Sequence, residues 1–164
     1  MRIAATLAIL SAVVSAGGLS ACGFTPMYAE TASGSSLRRI AVSTPDDRLG
    51  YRLREQLEDA LGWDRGAAPL YRLTTTVEQN RISLGRRIDD TATRYELTVR
   101  AAWSLTPTSG GTPLTGVETA TTTYAAADQP YAAIAAQQDG EERAAAELAR
   151  QIRLDLMRAL PDHP

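Results

Sequence analysis

The sequence has few of the side chains that most enzymes use for catalysis or metal binding. Its 164 residues include one cysteine (Cys22), one histidine (His163) and no lysine, so all 17 basic residues are arginines. One cysteine excludes an internal disulfide and a cysteine-rich zinc site. One histidine next to the C-terminus argues against histidine-dependent catalysis. The net charge of −2 provides no basic field, so we expect no nucleic-acid partner.

Catalytic motifs are missing as well. The sequence contains no G-x-S-x-G elbow, no Walker A loop and no dinucleotide-binding fingerprint. A nucleophile needs a base that activates it, and neither a lysine nor a suitably placed histidine is present. We interpret Asp89-Asp90 as a solvated turn rather than a paired-acid site, and no loop has calcium-binding spacing. We therefore expect no catalytic residue, no bound metal and no cofactor.

The N-terminus has the pattern of a secretory signal peptide. Arg2 precedes an apolar run, residues 3–14, and small residues follow it. This run is too short to span a membrane comfortably, since a span needs roughly 20 residues. We expect residues 1–21 to be cleaved.

The single cysteine lies where this segment ends. Leu19-Ser20-Ala21-Cys22 resembles the bacterial lipobox, which implies cleavage after Ala21, a diacylglyceryl group on the Cys22 thiol and acylation of the new amine. Two or more acyl chains give lasting attachment to a membrane. Gly23, rather than an aspartate, follows the cysteine, and this favours the outer membrane.

The rest of the chain divides into a tether and one domain. Residues 22–36 are rich in glycine, proline and serine, which predicts a lipidated N-terminal tether. Residues 37–164 are enough for a single domain with one core.

Alternating patterns within the domain predict its strands and helices. Strands are expected over Leu37–Ser43, 70–84, 91–105 and 114–126, with a turn near Gly85. A helix is expected from about Asp47 to Leu61, with Thr44 or Asp46 as N-cap and Gly62 as its end. A second helix runs from Pro130 to about Leu160, leaving open a break or kink at Gly140. Its expected buried stripe is Ala145, Leu148, Ile152, Leu156 and Ala159.

This order, β-α-β-β-β-α, predicts the fold class. A long meander of three strands with two amphipathic helices is typical of an α+β protein built as a two-layer sandwich. We expect the two helices to pack on one face of a four-stranded mixed sheet.

Three arginines flank the predicted turn between the two longest strands: Arg81, Arg86 and Arg87. Arginine matches phosphate and carboxylate groups bidentately, and the apolar residues between these arginines suit an amphiphile with an anionic head. The alternative is a soluble turn in which the arginines pair with Asp89 and Asp90. Arginines along the polar strand faces either extend a basic patch or pair across strands with Glu78 and Glu96; they are Arg72, Arg94 and Arg100.

Several motifs together resemble one family. Residues 22–28, CGFTPMY, resemble the C-G-F-x-P-[LM]-Y start of the LPS-assembly lipoprotein family LptE, in its alphaproteobacterial branch. Residues 129–132 (QPYA), 136–143 (AQQDGEER) and 148–152 (LARQI) resemble the final helix of that branch. At Gly140 the branch often has alanine. The resemblance follows the order of elements along the chain, although the middle of the domain carries no marked motif.

The resemblance implies a fold and a function. The fold would be two helices on a four-stranded sheet. The protein would have no enzymatic activity and would act as plug and assembly factor for the LptD β-barrel, lipid-anchored at the periplasmic face of the outer membrane. The pair would move lipopolysaccharide (LPS) to the cell surface, with direct LPS binding left open. No LPS-contact residue carries over by motif, so Arg81, Arg86 and Arg87 are candidates by charge and position alone.

Two other functions remain open at this point. A lipoprotein accessory subunit of another envelope lipid-transport or efflux machine would share the anchor and a similar body. An anchored periplasmic hydrolase is the third possibility, against which the scarcity of histidine and lysine argues.

Overall fold

The computed structural model describes residues 32–86 and 92–160. The predicted signal peptide, Cys22 and most of the predicted tether therefore lie outside the described residues, as do Arg87 and the predicted turn at Asp89-Asp90. Within the described residues the elements follow one another as α1 (Ala32–Leu37), β1 (Ile40–Ser43), α2 (Arg48–Leu61), β2 (Tyr71–Arg86), β3 (Ala92–Pro107), β4 (Leu114–Ala125) and α3 (Pro130–Ala159).

The four strands form one mixed sheet in the order β1-β2-β3-β4. β1 pairs with β2 in parallel, whereas β2, β3 and β4 form an antiparallel meander. A parallel pair needs a crossover connection, and α2 supplies it. The predicted α+β class, the four-stranded mixed sheet and the order β-α-β-β-β-α are confirmed.

The start of the domain differs from the predicted strand. Leu37 is the last residue of the short helix α1, and the strand begins only at Ile40. The prediction that Ile40 and Val42 share a face is correct, because both are buried. Leu37 is buried as well. Its burial follows from helical packing rather than from strand alternation.

α2 forms because four leucines at intervals of four residues give it a continuous apolar stripe: Leu49, Leu53, Leu57 and Leu61, all buried. The N-cap is Asp47, whose Oδ1 accepts a hydrogen bond from the Gly50 N–H at 2.6 Å. Neither Thr44 nor Asp46 is the cap. Gly62 ends the helix as predicted, with φ of 62° and its N–H bonded to the Asp59 carbonyl at 3.0 Å.

α3 is one continuous helix of 30 residues. Gly140 does not break it. The glycine leaves room for the Tyr124 ring, since a Cβ atom at this position would lie 2.9 Å from Tyr124 Cδ1. The predicted stripe is correct except at its end, since Ala159 is exposed. None of the helices among the described residues is long and apolar enough to cross a membrane.

The core lies between the two long helices and one face of the sheet. Alternate residues of β3 are buried as predicted, from Leu97 to Leu105. They belong to the same buried cluster as Leu53 and Leu57 of α2 and Leu148 and Ile152 of α3. Burying each such side chain contributes roughly 1.5–3 kcal/mol. The opposite face of the sheet is covered by none of the described elements.

The β2–β3 hairpin is longer than predicted. β2 continues through Gly85, where φ is 66°, to Arg86, which pairs with Ala92. Gly85 itself is therefore part of the hydrogen-bonded ladder and not of the predicted turn. The connection between Arg86 and Ala92 lies outside the described residues.

Candidate functional site

Two of the three candidate arginines, Arg81 and Arg86, lie in the second half of β2, and Arg86 is the last residue of that strand. The side chain of Arg86 and the whole of Arg87 are outside the described part of the chain. The structure therefore reveals the surroundings of Arg81 alone.

Arg81 lies on the helix-facing side of the sheet, not on the open side. Its guanidinium stacks over the Tyr95 ring at 5.0 Å from the centroid, and its Nη1 donates to Gln137 Oε1 of α3 at 3.3 Å. The nearby Tyr124 hydroxyl raises the pKa of Arg81. This buried hydroxyl has no hydrogen-bond partner of ordinary geometry among the described residues. Arg81 thus joins the hairpin to α3 while its side chain remains solvent-accessible.

The open face of the sheet has a different character. Its residues alternate with those of the core and are dominated by hydroxyl groups: Thr74, Thr76, Thr98, Ser104, Thr106, Thr115, Thr119, Thr121 and Thr123. Thr98 and Thr121 are directly opposite each other, with their Oγ1 atoms 3.4 Å apart. This alternation gives a hydroxyl-lined surface over β2, β3 and β4, which we call the open face.

Charges on the open face partly cancel. Arg100 lies directly opposite Glu78, with Nη1 to Oε2 at 4.0 Å. The cross-strand pairing considered from the sequence is confirmed at this position. Glu96 is opposite Ile82 and Thr123 instead of an arginine. Arg72 and Arg94 lie opposite uncharged residues, so the three arginines and two glutamates of the open face leave a small positive excess rather than a continuous basic patch.

A shallow groove on the outer side of α2 was not foreseen from the sequence. It has a volume of about 560 Å³ and is lined by Tyr51, Arg54, Glu55, Glu58, Asp59, Trp63 and Arg65. Glu58 accepts from Arg54 at 2.7 Å and from Arg65 at 3.1 Å, and Arg65 stacks on Trp63. The i, i+4 spacing of Arg54 and Glu58 was the available sequence signal. Within the groove, Glu58 is therefore paired with two arginines.

The contacts of two carboxylates, Glu141 of α3 and Glu118 of β4, were not foreseen from the sequence. Glu141 is buried and paired with Arg48 of α2 at 2.8 Å. Glu118 of β4 faces Asp155, whose hydrogen bond, together with burial and the like charge, raises the pKa of Glu118 to about 7. Among residues 32–86 and 92–160 there is no group of three or more potential metal ligands.

Comparison with known proteins identifies the family. The model of the family described as LptE, Lipopolysaccharide-assembly, matches residues 37–156. The chain belongs to the LptE family. No curated protein matches it in sequence.

Two solved structures of lipoproteins are similar to this chain. A protein of Caulobacter crescentus assigned as a lipoprotein is 45% identical, with a TM-score of 0.67 over 77% of this chain and 93% of that one. A minor lipoprotein of Acinetobacter baumannii is 16% identical, with a TM-score of 0.55 over 78% and 97% of the two chains. The second likeness shows the fold alone.

Proposed function

We propose that this LptE-family protein is a lipid-anchored, non-enzymatic component of LPS assembly that partners the LptD β-barrel at the outer membrane. Membership of the family carries the proposal. The protein would serve as plug and assembly factor, so its work would be binding and positioning rather than bond making.

The open face is the surface that best suits such a partner. The interior of an outer-membrane barrel is polar. A face rich in hydroxyl groups with only a small excess of positive charge offers donors and acceptors across three strands without a strong field of either sign. The helices lie on the other side of the sheet, so the open face can meet a barrel wall without disturbing the core.

Co-purification in mild detergent tests the partnership. The native lipoprotein should bring LptD with it, and recovery of another lipid-transport or efflux machine instead would favour the alternative function. Thr98→Arg in the middle of the open face should reduce recovery of the barrel at least several-fold. Ala146→Arg, which adds the same side chain to an exposed position of α3, is the matched control and should leave recovery unchanged. Equal recovery of both variants would reject the open face as the docking surface.

Attachment through Cys22 is the second part of the proposal. Cleavage after Ala21, a diacylglyceryl thioether and an N-acyl amine would fix the protein at the periplasmic side of the outer membrane. Mass spectrometry of the N-terminal peptide should reveal the three acyl chains. Cys22→Ser should abolish the modification and release the protein from outer-membrane fractions. An unmodified cysteine in the native protein would contradict the anchor.

LPS binding through the hairpin arginines is the third part. Guanidinium groups form charge-assisted, bidentate hydrogen bonds with phosphate, the chemistry of an LPS head. Arg86→Ala/Arg87→Ala should weaken binding to purified LPS, and Arg81→Ala should add to the effect. Because Arg81 also contacts Tyr95 and Gln137, its variant must be compared at matched folded fraction. LPS binding that is unchanged in the folded triple variant would refute the arginine site.

A further inference from the structure

The outer edge of β4 is a long, regular strand edge that none of the described elements pairs with. β4 spans twelve residues and pairs with β3 alone in the described sheet. Beyond its end, the Ala126 N–H donates to the Thr93 carbonyl at 3.1 Å, in the same antiparallel register. Opposed residues in an antiparallel ladder alternate between hydrogen-bonded and non-hydrogen-bonded pairs. The even-numbered residues of β4 therefore bond to β3, and the odd-numbered residues direct their N–H and C=O groups outward.

A side-chain contact agrees with this assignment. Arg143 of α3 donates from Nη2 to the Thr123 carbonyl at 3.1 Å, which requires that carbonyl to be accessible from outside the ladder. The outward-directed residues are Thr115, Val117, Thr119, Thr121, Thr123 and Ala125. Only the Thr123 carbonyl has such a contact to a described side chain.

This edge lacks most of the features that normally prevent strand addition. Natural sheets protect their edges with lysine, proline, bulges, short strands, inward-pointing charges or covering elements. β4 has no lysine or proline, and its register with β3 is unbroken from Leu114 to Ala125. Its six outward-directed residues carry no charge, and most are β-branched, which favours strand pairing. Its one charged residue, Glu118, points inward to Asp155 of α3 and is the one protective feature that β4 carries.

We propose that β4 of one copy pairs antiparallel with β4 of a second copy, joining two sheets into one. A pairing centred on Thr119 places this residue opposite its symmetry mate, Val117 opposite Thr121, and Glu118 opposite Ala120. A register centred one residue earlier would instead place the two Glu118 side chains together, which like-charge repulsion disfavours. The Thr119-centred pairing covers Val117, which is 46% exposed in the single chain. The contact is isologous, as a twofold dimer requires.

The hydrogen bonds of this dimer are compatible with the existing contacts. Five outward residues of each strand, from Thr115 to Thr123, would exchange about ten backbone hydrogen bonds with the second copy. The Thr123 carbonyl can keep its bond to Arg143, since a carbonyl oxygen has two lone pairs. The pairing is independent of the proposed function, because it concerns the free protein and needs neither LptD nor LPS.

Sedimentation of the full chain carrying Cys22→Ser, over a range of concentrations, tests the dimer without lipid attachment. Thr121→Lys and Thr121→Pro should each weaken dimerisation at least tenfold, since they place a charge or remove a donor at the edge. Thr98→Lys is the matched control: it adds the same charge directly opposite Thr121, but on β3, which is paired on both sides. This control should dimerise like the parent. A monomeric parent, or equal dimerisation of all folded variants, would overturn the proposal.

Crosslinking of single cysteines tests the register independently of those variants. In the Cys22→Ser chain, Thr119→Cys should place two thiols next to each other across the twofold axis. Thr115→Cys should leave its thiols about 27 Å apart along the paired strands. A short bifunctional thiol reagent should therefore join Thr119→Cys protomers and not Thr115→Cys protomers. Equal crosslinking would indicate unspecific association and reject this pairing.

Discussion

Arg48 at the start of α2 donates two parallel hydrogen bonds, each 2.8 Å long, to the carboxylate of Glu141 in the middle of α3. The two partners are unequally buried: the Glu141 side chain is 3% exposed, whereas that of Arg48 is 51% exposed. Gln137 Nε2 donates to the same carboxylate at 2.8 Å. Glu141 is thus a buried carboxylate whose charge is matched by an arginine that reaches it from the surface.

Replacing Arg48 and replacing Glu141 should therefore lower the free energy of unfolding by different amounts. Arg48→Ala leaves a buried carboxylate without its counter-charge and should lower the free energy of unfolding by about 3–5 kcal/mol. Glu141→Gln leaves an arginine that water can solvate and should cost less, about 1–2 kcal/mol. Urea unfolding of both single variants and the double variant measures the coupling. Equal losses in the two single variants would contradict this asymmetry.

Gly116 provides space for the Trp103 side chain, its partner in the β3–β4 register. A Cβ atom on Gly116 would lie 2.8 Å from Trp103 Nε1, and Trp103 is buried. Gly116→Ala should thus destabilise the protein by about 1–3 kcal/mol through overpacking. The double variant Gly116→Ala/Trp103→Phe should lose less than the sum of the two single variants, as thermal unfolding would reveal. Additive losses would exclude this steric conflict.

The Glu118–Asp155 pair should make stability depend on pH near neutrality. The hydrogen bond to Asp155 raises the pKa of Glu118 from 4.5 to about 7, while Arg158 opposes the shift. The folded protein therefore binds this proton more tightly than the unfolded chain. The pair's contribution is complete below about pH 4.5 and disappears as the pH rises through 7.

Glu118→Gln should remove this dependence. Relative to the variant, the parent should lose about 1–2 kcal/mol of stability between pH 5 and pH 8, a value reduced by solvent screening. Denaturant unfolding at both pH values measures it. Glu78→Gln, at a side chain that is 80% exposed, is the matched control and should leave the pH profile of the parent intact. If the free energy of unfolding depends on pH in the same way in Glu118→Gln and in the parent, the raised pKa of Glu118 is excluded.

Arg81 should contribute to stability as well as to any ligand binding. Arg81→Ala removes the stacking on Tyr95 and the bond to Gln137 and should cost about 0.5–1 kcal/mol. Arg72→Ala, on the open face, should stay within about 0.5 kcal/mol of the parent. Thermal unfolding distinguishes the two, and an unchanged midpoint for Arg81→Ala would exclude the stabilising contact.

Several features of the fold were predictable because a local pattern specifies them. The leucines at four-residue spacing in α2, Gly62 at its end and the alternation along β3 each reflect a backbone period that the sequence states directly. Leu37 was misassigned because a single apolar residue before a strand does not indicate whether the preceding turn is helical. The sequence did not reveal that Gly85 belongs to the ladder, because glycine commonly ends a strand and here strand pairing continues through it.

The candidate site could be predicted only in part. Charge and spacing drew attention to Arg81, but β-strand parity places it on the same side as Tyr71 and Leu73, facing α3. The Glu141 and Glu118 contacts join residues that are far apart in the chain, so no local pattern contains them. The lipidation of Cys22 and LPS contact by Arg86 and Arg87 remain predictions.

The sequence by itself determined the order of strands and helices, the buried face of each and the family motifs, because these depend on residues close together in the chain. Only the tertiary structure decided that Arg48 neutralises Glu141, that Glu118 meets Asp155 and that β4 is left at an edge. Those relationships depend on which elements become neighbours, and hydrophobic packing of the two helices on one sheet face sets that arrangement.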